Sequence, residues 1–211
     1  MNSAILKQER ANAVSHGIGA VLSVAALVLL LERSIRYGTI WHVISFAIFG
    51  VTMLLVYVSS TLLHSARDER WIERFEKMDH AAIFLLIGGT YTPYLLVTLR
   101  GSLGLSFLAI VWSLALGGLV FKLRNMYRYH RTTTFFYIAL GWMIILLFKP
   151  LQEQLPVQGL SWLVYGGALY TIGTVFYLWR RVPYHHAIWH TFVMGGSLCH
   201  FISIYVYVLP R

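Results

Sequence analysis

The chain has 211 residues, 58% of them hydrophobic and only 12% charged, with a formal net charge of +9. Soluble domains carry about 25% charged residues, so this composition excludes an ordinary water-soluble enzyme and points to a membrane protein. The positive balance does not point to nucleic acid, because the Lys and Arg residues sit in short gaps between apolar runs, where they orient the chain and meet anionic headgroups.

In chain order, residues 1–12 are polar, and the apolar run after them has no small-residue cleavage site, so no cleavable signal peptide is expected. A helix crosses a bilayer with about twenty apolar residues. Seven runs come close, at about 13–31, 40–63, 79–98, 103–121, 132–148, 161–179 and 187–209. The first carries Glu9, Asn12 and His16 at i, i+3 and i+7, which places them on one stripe. That stripe is open to three readings: it lines a cavity, orients a ligand, or locks the end of the bundle. The second run closes on His64, with Ser60 one turn earlier on the same face, and the third opens at Asp79. Pro93 is expected to kink the third helix and free the carbonyl of Gly89. Paired glycines at 88–89, 117–118, 166–167 and 195–196 let helix backbones approach closely in lipid. The fifth run is the shortest and is closed by Lys149-Pro150. The seventh opens with His186 and His190, four residues apart and therefore on one face, about a turn from each other. The lone cysteine, Cys199, can form no internal disulfide and reads as a packing residue. The gaps are too short for a soluble domain. The expected fold is a single all-α seven-transmembrane helix bundle over residues 1–211, in contact with membrane lipids and with no soluble partner identifiable.

Lys and Arg in the gaps set the orientation. With the N-terminus inside, the cytoplasmic side holds twelve of them, from Lys7 and Arg10 to Arg180 and Arg181. The other side holds five, Arg33, Arg36, Arg100, Lys149 and Arg211. This bias predicts a cytoplasmic N-terminus and an external C-terminus. It also brings His64, Asp79, His186 and His190 to the same membrane depth, although none of them entered the count.

Ionisable groups in a membrane helix are rare and need a reason. Zinc favours imidazole nitrogen, and catalytic zinc sites use three protein ligands with a fourth position for water. His64, His186 and His190 supply three, and Asp79 either holds that water or ligates directly. A carboxylate there also offsets the charge that three neutral imidazoles leave uncompensated. The Ser60 hydroxyl is placed to support it. The zinc-protease helix motif has a Glu after its first His, where this chain has Ala187, so that mechanism does not transfer. His80 and His185 point about 100° away from their neighbours Asp79 and His186. His42 and His130 read as interfacial. His200 lies ten residues past His190, roughly 15 Å along a helix, too far to join the site.

Taken together, Glu9-x2-Asn12-x3-His16, Ser60-x3-His64, Met78-Asp79-His80, Gly89-Thr-Tyr-Thr-Pro93, His186-x3-His190, Phe192-Val193 and His200-Phe201 resemble the haemolysin III branch of the progestin and adipoQ receptor family. The resemblance covers nearly the full length. It implies a seven-helix fold with a cytoplasmic N-terminus in the bacterial inner membrane. It also implies zinc on His64, His186 and His190, with Asp79 acting through a water. Hormone binding is not carried over, because the long N-terminal region of the eukaryotic receptors has no counterpart here.

Two functions follow as expectations. One is zinc-dependent hydrolysis of a lipid amide, a ceramidase-like reaction that the resemblance suggests, with Asp79 as general base or water orienter. The other is a non-enzymatic sensor or regulator of membrane fluidity or energetics, with zinc as a clamp between helices. A pore-forming cytolysin would need a helix with a continuous polar stripe, and none of the seven shows one. A transporter would need polar groups running across the bilayer, whereas these cluster at the cytoplasmic end. A rhodopsin-like pigment is excluded by the absence of lysine from the seventh helix.

Overall fold

The computed structural model describes residues 3–126 and 128–209, and only the backbone of His130. Arg211, counted in the charge bias, and the expected interfacial place of the His130 side chain lie outside the described residues.

The elements are α1 (Ser3–Tyr37), α2 (Ile40–Ser65), α3 (Glu69–Pro93), α4 (Ser102–Arg124), α5 (His130–Trp142), α6 (Phe148–Gln154), α7 (Val157–Leu178) and α8 (His185–Ser203). A π turn at Tyr94–Thr98 extends α3, another at Ile204–Val208 extends α8, and a 3-10 stretch at Met143–Leu147 joins α5 to α6. Seven helical stretches are long and apolar enough to cross a membrane, and no strand occurs among the described residues. The fifth, Arg131–Gln154, combines α5, the 3-10 stretch and α6, while α7 and α8 are the sixth and seventh. Large apolar side chains cover the outside, with Val21 71% and Leu146 72% exposed, a surface suited to lipid and not to water. Phe46, Phe49, Tyr94, Leu95 and Val111 are fully buried between the helices. Here α1 packs along α2, α2 along α3, and α7 along α8.

Glycines set the close approaches. A side chain at Gly118 would collide with the rings of Phe84 and Phe136, and one at Gly196 would meet Tyr170, whereas Gly117 faces open space. The paired glycines are therefore packing features, but not at every position.

Two boundaries differ from those expected. The third helix starts at Glu69, ten residues before Asp79, because the Asp68 carboxylate accepts a hydrogen bond from the Arg70 amide at 2.9 Å and caps an amphipathic extension outside the apolar run. Asp79 therefore lies well inside α3 and does not open it. At its other end the helix reaches Thr98 as expected, widening after Pro93 into the π turn, which accommodates the hydrogen bond that proline cannot make. The fifth span also runs past Pro150. The 3-10 stretch ends one helix and starts another, so Pro150 falls in the first turn of α6, where no amide donor is needed. The Tyr91 hydroxyl covers that break. It accepts from the Ile144 amide at 2.8 Å and lies 2.9 Å and 2.8 Å from the carbonyl oxygens of Leu140 and Gly141.

His42, in the first turn of α2, is buried at 6% exposure. Its Nδ1 accepts from the Thr39 amide at 3.0 Å, so the ring folds back to cap the start of α2.

Candidate metal centre

His186 and His190 come from the first two turns of α8, and His64 from the last turn of α2. The chain enters α8 through Tyr184 at φ 56°, a left-handed turn unusual for a residue other than glycine. One ring nitrogen from each histidine lies within 4.8 Å of the other two. The rings meet edge to face, with centroids 4.6 Å apart for His186 and His190 and 5.0 Å for His64 and His186. Three imidazoles turned toward one point are a donor set suited to zinc.

The N-terminal half of α1 fixes two of these rings. His64 Nδ1 donates to the Glu9 carboxylate at 2.7 Å. The Asn12 amide nitrogen is 3.5 Å from the same atom, and the shorter, charge-assisted contact decides the tautomer. His190 Nδ1 is 2.9 Å from the Ser15 hydroxyl and 3.2 Å from the Asn12 carbonyl. The carbonyl can only accept, so Nδ1 carries the proton, while the Ser15 hydroxyl in turn donates to the same carbonyl at 2.9 Å. In both rings the Nδ1–H is engaged by α1, and Nε2 is the nitrogen left for a ligand. His64 Nε2 is buried and has no hydrogen-bond partner among the described residues. An unpaired buried nitrogen costs about 1–3 kcal/mol, and a metal ion would remove that cost. The residues therefore fit zinc. The carboxylate and carbonyl behind the ligands are the supports that metal-binding histidines characteristically have.

Of the α1 stripe, Glu9 and Asn12 thus touch two of the three histidines. His16 stacks on His190 with centroids 3.4 Å apart and planes 11° from parallel, and it walls the site on that side. Ser15 was not among the residues expected. It sits three residues after Asn12, and that spacing was the available signal, but its bond to His190 crosses 175 residues of sequence.

Asp79 and Ser60 line the same cavity as the three histidines. Asp79 is not part of the group of ligand atoms within 4.8 Å of one another. The Ser60 hydroxyl is buried beside the Asp79 carboxylate, close enough to act on it. His80 is bound through Nδ1 to the Glu76 carbonyl at 2.9 Å.

The cavity has a volume of about 730 Å³ and a mostly apolar wall. It runs from Glu9, His64, Arg67 and Arg180 at one end to Tyr94 and His200 deep in the bundle. Polar side chains were expected only at the end with the histidines. They continue inward through Thr90, Tyr91, Tyr170 and Thr171, because the helices that lean together here carry hydroxyls on their facing sides.

The model of the haemolysin-III-related family matches residues 4–201. The chain is 51% identical over 202 residues to the hemolysin-3 homolog of Bacillus subtilis, covering 96% of this chain and 95% of that protein. It is 49% identical over 205 residues to hemolysin-3 of Bacillus cereus, covering 97% and 94%. A more distant relative, the human monocyte to macrophage differentiation factor, is 27% identical over 207 residues, covering 95% and 84%. With seven helices able to span a membrane and a match over nearly its whole length, the chain belongs to the haemolysin-III-related family of multi-pass membrane proteins.

Proposed function

We propose that the chain holds one zinc ion on His64, His186 and His190 and hydrolyses an amide or ester bond of a membrane lipid, as part of membrane lipid homeostasis. One observation carries this reading: the three histidines share a cavity of about 730 Å³ with Asp79, and its apolar wall suits an acyl chain. Zinc in such a site supplies a Lewis acid for the carbonyl and a nucleophile from water at neutral pH. The protein supplies the geometry. Glu9 holds the His64 ring, and Ser15 with the Asn12 carbonyl holds His190, which leaves the Nε2 atom of each ring for the metal. Asp79 orients the attacking water and takes its proton, and Ser60 steadies that carboxylate from α2. The acyl chain fills the apolar wall and keeps bulk water from the reacting bond. The Lys and Arg bias supports a position for this centre at the cytoplasmic face of the bacterial inner membrane.

A second reading has its own support. The three ligands and their hydrogen-bond partners tie α1, α2 and α8 together, an arrangement that also suits a structural clamp in a sensor of membrane state. The names of the Bacillus relatives suggest cytolysis, but the outer faces of the helices are apolar, which does not suit a pore wall.

The purified protein is incubated with bacterial and ceramide-type lipid extracts, and the products are read by mass spectrometry for wild type and Asp79→Asn. The hydrolase reading predicts fatty-acid release by wild type, with none by a variant that keeps its zinc. A zinc-replete wild type without turnover would move the assignment to the sensor.

A further inference from the structure

Past the histidines, the cavity wall is rich in polar side chains that are already committed to other protein groups. Tyr91 is bound at the helix break, and the Tyr94 hydroxyl donates to Ser203 Oγ at 2.8 Å. The Tyr170 hydroxyl pairs with Ser197 Oγ at 2.8 Å, and Trp142 Nε1–H donates to Thr171 Oγ1 at 2.8 Å. His200 differs. It lies on this wall at 4% exposure, and its Nδ1 is buried without a hydrogen-bond partner among the described residues. Its ring is held in place, stacked on Tyr170 with centroids 5.4 Å apart. On another side it lies against Gly166, where a Cβ atom would come 2.6 Å from His200 Nε2. A ring so fixed, on the cavity wall and with a nitrogen unpaired, carries a cost of about 1–3 kcal/mol that a hydrogen-bonding group reaching that nitrogen would relieve. A lone water suits it poorly, because buried waters typically hold about three hydrogen bonds and the neighbouring hydroxyls are engaged.

We propose that His200 is a second polar subsite, which hydrogen-bonds a hydroxyl carried within the alkyl chain of a long-chain amphiphile whose headgroup lies at the three histidines. The inference rests on the reading that the cavity takes a lipid. A hydroxyl is favoured over a keto group because it donates and accepts, and so matches either tautomer of the ring. His200 is ten residues beyond His190 on one helix, roughly 15 Å along its axis. About a dozen carbons of extended chain, with bonds of about 1.5 Å at tetrahedral angles, cover that distance.

The test uses the full-length protein in nanodiscs with bound radiolabelled stearate, displaced by unlabelled stearate, 12-hydroxystearate or 6-hydroxystearate. Wild type is expected to bind 12-hydroxystearate about tenfold more tightly than stearate, and to gain nothing from the 6-hydroxyl. His200→Phe is expected to bind stearate as wild type does and to lose the preference. Equal affinity of wild type for stearate and 12-hydroxystearate would overturn the subsite and leave the lipid cavity standing. The same advantage for both hydroxyl positions, or a preference that survives in His200→Phe, would also overturn it. Absence of stearate binding would overturn the lipid reading and the subsite together. The two positional isomers decide the matter on wild type alone should His200→Phe fail to fold.

Discussion

The two ends of the cavity hold their polar groups in opposite states. At the histidine end, hydrogen bonds from α1 engage the Nδ1 side of His64 and His190, and the His64 Nε2 is left without a hydrogen-bond partner among the described residues. At the deep end, the hydroxyls of Tyr94 and Tyr170 pair with serines of α8 and the Trp142 indole with Thr171 of α7, so that, His200 apart, the wall behaves as an apolar surface despite its composition. The contrast teaches that the number of polar side chains does not mark a membrane-embedded site. What marks it is which of their atoms the protein leaves unpaired, and whether the opposite atoms have been fixed.

That comparison can be broken at either end. The largest effect is expected from His64→Ala, which should abolish metal retention, read by elemental mass spectrometry, while His200→Ala at the deep end should leave metal content at the wild-type level. Metal loss in both would erase the distinction. Next, Glu9→Gln keeps the shape of the support but weakens the charge-assisted bond to His64, and should lower metal affinity about 10–100-fold in a chelator competition. Tyr91→Phe should act in the other direction. It leaves the Ile144 amide without its acceptor in the broken fifth span, costing about 2 kcal/mol of stability in thermal or denaturant unfolding, with metal affinity unchanged. The smallest change is expected for Ser15→Ala, a loss of metal affinity of about fivefold or less, because the Asn12 carbonyl remains as an acceptor for His190.

Much of the histidine end was legible in the chain itself. The spacing of His186 and His190 sets them on one face of a helix, and the charge bias brings His64 to the same level without reference to chemistry. The stripe of Glu9, Asn12 and His16 was visible as well. Its contacts were not, because the Glu9–His64 pair joins residues separated by 55 positions and local spacing carries no information about that distance. The boundary that differed at Pro150 has the same origin. Pro150 ends an apolar run, but the continuation of the span depends on a hydroxyl from Tyr91, 53 residues from Ile144. The deep wall was the least legible part, since hydroxyls scattered over α3, α7 and α8 read as polar until their partners are known.

The most direct test of the account is the zinc content of wild-type protein purified without chelators. The three-histidine centre predicts about one zinc per chain. Wild-type protein that folds, stays monodisperse and carries no zinc would contradict it.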